Sequence, residues 1–284
     1  MSLELAYQQL VSSLQTIYEN REASTMANWV IEKLSGLNRV DRLINKHQSI
    51  SDSNKLLLKK MTDELLAHRP IQYVLGEAWF LKQSFFVNES VLIPRPETEE
   101  LVDWIVRENA QMLGVRILDI GTGSGCIPIT LKKQIPVSDI VSVDISSDAI
   151  AVANKNAIDL GASVRFLSMD FLDENNWNDL PEIDIIVSNP PYIKLAEKTS
   201  MAQHILDFEP SVALFVPDND ALIFYSAIAK FGKTHLSGNG CAYFEINEAL
   251  GAETMALLTS NGYCCELKKD MQGKDRMIKA QLIN

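Results

Sequence analysis

Through the first 69 residues apolar side chains recur at helical spacing. Leu3, Ala6, Leu10, Leu14 and Ile17 step by three and four, which lays one apolar stripe along a helix. A further helix is predicted with Ser53 as its N-cap and Leu57, Leu58, Met61 and Leu65 on one face. Arg69-Pro70 should end it, because a residue before proline is pushed out of helical dihedrals. No strand-like alternation precedes this point, so the segment reads as a small helical bundle. Between residues 77 and 93 the pattern changes to Ala78-Trp79-Phe80-Leu81 and Ser84-Phe85-Phe86-Val87, with Lys82-Gln83 placed as a hairpin turn. After residue 114 short β-rich runs alternate with helix-length spacers, at 115–120, 140–145, 164–167, 183–188 and 241–246. Such spacing implies βαβ units and a parallel sheet. Runs at 263–267 and 277–283 flank Gly273 and are expected to close the sheet as an antiparallel pair.

Composition narrows the class. A chain of 284 residues with 46% hydrophobic and 22% charged positions can fill two cores and is not disordered. No apolar run approaches the ~20 residues that span a bilayer, and Met1-Ser2-Leu3-Glu4-Leu5 lacks a basic leader, so a cytoplasmic globular protein is expected. Residues 1–70 carry 9 Lys/Arg against 8 Asp/Glu, and residues 71–284 carry 17 against 29, a net of −12 that repels polyanions. Cys126, Cys241, Cys264 and Cys265 form no C-x-x-C pair and are read as small buried hydrophobes in a reducing compartment. His47, His68, His204 and His235 are scattered without ligand spacing, so no metal site is expected.

The candidate chemistry sits at the ends of the predicted strands. The first parallel strand ends in Asp119-Ile120 and runs into Gly121-Thr122-Gly123-Ser124-Gly125, where alternate glycines permit a sharp turn and close approach to a ligand. A dinucleotide fingerprint would need glycine at 126, which is Cys126. The G-x-G-x-G spacing instead resembles that of S-adenosylmethionine-dependent methyltransferases. Asp144 ends the next strand, where an acid can hold ribose hydroxyls, and Asp170-Phe171 follows the third, placed to meet an adenine. Asp119 either orients the cofactor's ammonium group or caps the loop.

The fourth strand runs directly into Asn189-Pro190-Pro191-Tyr192. Two prolines stop the strand and fix its backbone. An amide or aromatic amine suits such a turn: its N–H groups can donate to the Asn189 side-chain oxygen and the Pro190 carbonyl, leaving the nitrogen lone pair aimed at the cofactor. Tyr192 offers a flat face to a planar acceptor. Catalysis would then rest on positioning and transition-state electrostatics.

The chain resembles the protein-(glutamine-N5) methyltransferases that modify peptide chain release factors. The resemblance is carried by Arg69-Pro70-Ile71-Gln72-Tyr73 with Gly76-Glu77, by Leu92-Ile93-Pro94-Arg95-Pro96-Glu97-Thr98-Glu99, by residues 119–126, and by Ser188-Asn189-Pro190-Pro191-Tyr192-Ile193. It extends through Glu209-Pro210-Ser211-Val212-Ala213-Leu214 and Lys269-Asp270-Met271-Gln272-Gly273 with Arg276. It implies an α/β fold, a class I methyltransferase Rossmann-like seven-stranded sheet. This is preceded by an N-terminal helical bundle for substrate recognition (1–75) and a β-hairpin linker (76–95), so the methyltransferase domain is 96–284. It also implies S-adenosyl-L-methionine as methyl donor and S-adenosyl-L-homocysteine as product. The acceptor would be the glutamine of the Gly-Gly-Gln loop of bacterial class 1 release factors, in translation termination. On this chain Gly121, Thr122, Gly123, Ser124, Gly125, Asp144, Phe171 and Asn189 would contact cofactor. Asn189, Pro190, Pro191 and Tyr192 would hold the glutamine, with Asn189, Pro190 and Tyr192 catalytic. The chain departs from the family pattern at Pro128, at Glu245-Ile246-Asn247 with Leu250, and at Asp218-Asn219-Asp220-Ala221-Leu222. A monomer is expected, without membrane or nucleic-acid partners. The rival readings are a methyltransferase acting on an exocyclic base amine, which would require base flipping, and a cofactor-dependent binding module without turnover.

Overall fold

The computed structural model describes residues 1–283; Asn284, the last residue of the expected methyltransferase domain, lies outside them. The chain divides into two compact units, Met1–Glu77 and Ala78–Asn284.

The first unit is helical: α1 (Leu3–Leu14), α2 (Asn20–Ser35), α3 (Arg39–Ile44), α4 (Asp52–Leu66) and α5 (Ile71–Leu75). Leu3, Ala6, Leu10 and Leu14 are buried against Ala23, Ala27, Val30 and Ile31 of α2 and Leu58, Met61 and Leu65 of α4. The expected stripe is one residue too long, since α1 ends before Ile17 and that side chain is exposed. The α4 cap is Ser51 rather than Ser53. Its extended backbone lets Oγ accept from Asn54 N at 3.1 Å, and Asp52 then meets the positive end of the helix. Leu57 points outward for the same helix, while Leu58 lies in the core.

In the second unit a hairpin of β1 (Ala78–Phe80) and β2 (Gln83–Phe85) comes first. Phe80 pairs with Gln83, so the turn is Leu81-Lys82, one residue earlier than expected. Both turn residues have positive φ (43° and 66°), the backbone that matches strand twist in a two-residue loop and that glycine normally supplies. Phe80 and Phe85 are fully buried in the core of this unit. Then follow α6 (Pro96–Asn109), β3 (Arg116–Ile120), α7 (Cys126–Gln134), β4 (Asp139–Asp144), α8 (Ser147–Leu160), β5 (Arg165–Ser168) and β6 (Ile183–Ser188). The chain continues through β7 (Ile193–Lys194), α9 (Gln203–Phe208), β8 (Phe215–Val216), α10 (Ile223–His235), β9 (Leu236–Glu245), α11 (Gly251–Ser260), β10 (Tyr263–Lys269) and β11 (Asp275–Leu282).

Seven strands form one sheet in the order β10-β11-β9-β6-β3-β4-β5. The pairs from β9 to β5 are parallel, and β11 pairs antiparallel with both β10 and β9. The sequence pattern did not reveal the small parallel pair β7/β8. Alternate strand residues feed two cores. Leu118, Val141, Ile186 and Phe244 pack with Tyr225, Ile228 and Phe231 of α10. Ile117, Ile140, Ile185 and Tyr243 pack with Leu101, Trp104 and Ile105 of α6 and with Ile129 of α7. Cys126 and Cys241 are buried as expected, but Cys264 is exposed, because β10 is an edge strand whose residues alternate between core and solvent. Pro128 occupies the first turn of α7, where a missing N–H leaves no carbonyl unpaired.

One buried side chain ties this frame together. Asn156 of α8, 1% exposed, donates through Nδ2 to the carbonyls of Phe86 and Ser124 and accepts at Oδ1 from Phe86 N. It therefore joins the chain after the hairpin to the glycine loop. Asn156→Leu, which strands these three backbone groups, should cost about 2–4 kcal/mol in urea denaturation.

Candidate functional site

Parallel strands side by side place their carboxyl ends in one crevice. Here β3, β4, β5 and β6 end together at a cavity of about 360 Å³. Gly121, Thr122, Gly123 and Ser124 form one wall, Asp144 and Ile145 the next, and Met169, Asp170, Phe171 and Leu172 the third. Asn189, Pro190 and Pro191 close the side nearest β6, beside Arg95 and Thr98.

The glycine loop is shaped by backbone that only glycine adopts freely. Gly121, Gly123 and Gly125 have φ of 83°, 51° and 79°. Gly125 does not line the cavity; a Cβ there would lie 2.9 Å from Ile129 Cδ1 and 3.1 Å from Ala153 Cβ, so its role is packing under the loop. The loop is held by Asp144, whose Oδ2 accepts from Gly123 N and Oδ1 from Ser146 N, both at 2.9 Å. Burial raises the Asp144 pKa, and these backbone donors pull it back. Each carboxylate oxygen keeps a second lone pair for a ribose hydroxyl.

Beneath the loop, Asp119 is fully buried. Its Oδ2 accepts from Ser142 Oγ at 2.6 Å, while Oδ1 has no partner. The Thr122 hydroxyl stands near this carboxyl without making a hydrogen bond of ordinary geometry, and it and Ser124 Oγ are also buried and unpartnered. Desolvation raises the Asp119 pKa to about 7.

These donors and acceptors fit the cofactor that the glycine spacing suggested. Orphaned polar atoms beneath the loop, carboxylates rather than cations around it, and apolar Ile145, Phe171 and Leu172 suit an amino acid, a ribose and a flat base. A diphosphate fits poorly, because the Gly123 N–H it would need already donates to Asp144. Phe171 reaches the cavity with one side and packs into the core with the other, tilted against Trp177 and edge-on to Phe231. Asp170 lies at the rim and accepts from Leu172 N.

At the other end, Asn189 Nδ2 donates to Thr98 Oγ1 at 3.1 Å. Tyr192 is not on the cavity wall; its ring packs on the core and its hydroxyl donates to Glu245 Oε1 at 3.1 Å. The geometry therefore gathers Asn189, Pro190 and Pro191 at the cavity and sets Tyr192 behind them. Three further groups escaped sequence reasoning. Thr98 and Glu245 bond each other, and Arg95 is held by the buried Glu209 at 2.7 Å, bracing the segment before α6 against the end of α9. Glu245 carries a signal that could have been read: an acid closing the apolar run Cys241-Ala242-Tyr243-Phe244. Of the departures from pattern, Asn247 caps a short turn through Ala249 N, and Asp218 accepts from Ala196 N.

Residues 98–212 match the Methyltransferase small domain and residues 6–76 the PrmC N-terminal domain. The "Release factor glutamine methyltransferase" of Flavobacterium psychrophilum is 42% identical over 275 residues, covering 95% of this chain and 96% of that one. The chain belongs to the release factor glutamine methyltransferase family. A relative with the same name from Bacteroides thetaiotaomicron is also 42% identical, over 94% of this chain and 96% of its own. This family member is an S-adenosylmethionine-dependent methyltransferase. Its fold is shared by the T. thermophilus 16S rRNA N2 G1207 methyltransferase in complex with AdoMet and guanosine (16% identity, TM-score 0.53, 73% of this chain and 50% of that one). Among the described residues no three His, Cys, Asp or Glu side chains gather as metal ligands, and no helix is long and apolar enough to cross a membrane.

The buried Asp119 makes stability depend on pH with a definite sign. The unfolded chain releases this proton near pH 4, whereas the folded chain holds it to about 7. Between those values rising pH favours the unfolded chain, so this group's stabilisation, complete below pH 4, is lost towards pH 7. Asp119→Asn should flatten that part of the profile. Urea midpoints at pH 5 and pH 7 measure it, and an equal fall in both proteins contradicts the assignment.

Proposed function

We propose that the enzyme methylates the side-chain amide nitrogen of the glutamine in the Gly-Gly-Gln loop of bacterial class 1 peptide chain release factors, and so modulates translation termination. The orientation of Asn189 carries the proposal. Its Nδ2 is committed to Thr98, and neither its Oδ1 nor the Pro190 carbonyl accepts a hydrogen bond among the described residues. Two acceptors on one rigid turn match the two N–H groups of a primary amide.

An amide nitrogen is a weak nucleophile, and this site addresses that by position. Holding both N–H groups fixes the nitrogen plane and turns its remaining electron density to the cavity. As the nitrogen gains positive character, the Asn189 and Pro190 oxygens interact with it more strongly than in the ground state, which lowers the barrier. The donor, held by Asp144, Phe171 and the glycine loop, supplies a methyl group on a positively charged sulfur. The names of the relatives and the match of residues 6–76 to the PrmC N-terminal domain support the release factor as partner. The −12 charge of residues 71–284 disfavours the alternative acceptor, an exocyclic amine of a nucleic-acid base.

The test is methyl transfer from labelled S-adenosylmethionine to release factor, to a variant lacking the loop glutamine, and to DNA and RNA. Label should appear on intact release factor alone; label on nucleic acid overturns the substrate. Asn189→Ala should lower kcat by roughly 10²-fold or more while calorimetric affinity for S-adenosylhomocysteine stays within a few-fold.

The first unit is assigned to docking of the release-factor body, on the strength of Val40, Leu43 and Ile44, which α3 leaves exposed side by side. Leu43→Glu with Ile44→Glu should raise KM for whole release factor by about ten-fold or more and leave KM for a short Gly-Gly-Gln peptide unchanged. Equal effects on both would refute that role.

A further inference from the structure

Glu245 ends β9 almost without exposure (1%), and none of the steps above uses it. Each of its oxygens takes one hydroxyl: Thr98 Oγ1 donates to Oε2 at 2.6 Å and Tyr192 Oη to Oε1 at 3.1 Å. The other charged or titratable groups around it are Glu97 of α6, Cys126 of α7, Tyr225 of α10 and Arg276 of β11.

We propose that Glu245 is a positioning residue that, through Thr98, dictates which end of the Asn189 amide faces the acceptor nitrogen. This rests on the glutamine reading above and adds to it a reason why Asn189 presents oxygen rather than nitrogen. A carboxylate has no proton and can only accept. The single Thr98 proton therefore goes to Glu245, which leaves the Thr98 oxygen only able to accept. Asn189 must then turn its NH2 toward Thr98 and its Oδ1 the other way. Without the carboxylate the Thr98 hydroxyl could donate to Asn189 instead, and the amide would turn over. Two NH2 groups would then face each other at the acceptor position. The arrangement runs one way only while Glu245 is ionised.

Protonation of Glu245 releases this control, since the acid can itself donate to Thr98. Burial raises its pKa, while the two hydroxyls and the charge of Arg276 oppose the rise. Acceptor use should accordingly weaken on acidification at a pH above the ordinary glutamate range. Burial raises the pKa of Asp119 and Asp144 as well, so the acid limb is assigned by variants at Glu245 and Thr98, at saturating cofactor.

The experiment compares full-length Thr98→Val, Thr98→Ser and Glu245→Gln with the wild type. It reads kcat/KM for release factor across pH, S-adenosylhomocysteine affinity, melting temperature, and the Asn189 side-chain NH2 resonances in nitrogen-15 spectra. Thr98→Val, of equal shape without the hydroxyl, should lose about ten-fold in kcat/KM with cofactor affinity within about two-fold. Thr98→Ser should recover most of that loss. Glu245→Gln, which can donate or accept at either end, should lose activity at neutral pH and also lose the acid limb. One Asn189 side-chain N–H should be protected from exchange in wild type and Thr98→Ser and unprotected in Thr98→Val. Equal activity of the Val and Ser variants, equal damage in both, or an unchanged acid limb in Glu245→Gln would overturn the proposal. A wild type that transfers nothing to glutamine would overturn the function instead, and the Asn189 resonances would still decide the orientation.

Discussion

A carboxylate removed from water has to take its hydrogen bonds from the protein, and the carboxyl edge of this sheet is organised around three that do. Asp119, Asp144 and Glu245 end or nearly end β3, β4 and β9. Asp144 holds the glycine loop by Gly123 N, Asp119 binds Ser142 across to β4, and Glu245 gathers Thr98 and Tyr192. Each acid links a strand end to the segment beside it. Asp119 and Asp144 thus tie the glycine loop to β3 and β4, and Glu245 ties the first turn of α6 to the turn after β6.

The arrangement also separates two tasks within one cavity. On the β3–β4 side Asp144 lines the cavity, while Asp119 lies buried beneath the glycine loop. On the β6 side Glu245 faces inward, bound by Thr98 and Tyr192, and the Asn189-Pro190-Pro191 turn lines the cavity. In the proposed reaction a weakly nucleophilic amide would meet no free carboxylate there. Its N–H groups would be held by oxygens too weakly basic to compete for the proton before the bond to carbon develops.

Much of the fold was legible in the sequence for a simple reason: hydrophobic period reports which face is buried, and burial is decided locally by helix or strand geometry. The apolar run of residues 183–188 became β6 with its predicted limits, whereas the run expected at 241–246 begins five residues earlier and ends one residue sooner, as β9. Where the reading slipped, a local competition was settled by one hydrogen bond or one rotation. Ser51 captured Asn54 N and moved the start of α4 by two residues, and Leu81-Lys82 adopted positive φ without glycine. Ile17 continued the apolar spacing after the helix had ended, because spacing alone does not show where a terminus is capped.

The site divides in the same way. Residues contiguous in sequence were legible: the glycine loop, Asp144 at a strand end, and the Asn189-Pro190-Pro191 turn carry their geometry in backbone constraints that proline and glycine announce. Partners distant in the chain were not. Thr98 lies 147 residues from Glu245 and 91 from Asn189, and Arg95 lies 114 from Glu209. Nothing in their immediate neighbours shows which of the others each will bond. The sequence by itself determined the class of fold and the rigid turns, since these follow from periodicity and local dihedral restriction, and its motifs carried the resemblance to the family. Only tertiary structure decided that Tyr192 stands behind the turn and that Asn189 offers its oxygen. Those outcomes depend on which buried groups share a proton, and that depends on α6, the turn after β6 and the end of β9 meeting across long stretches of chain.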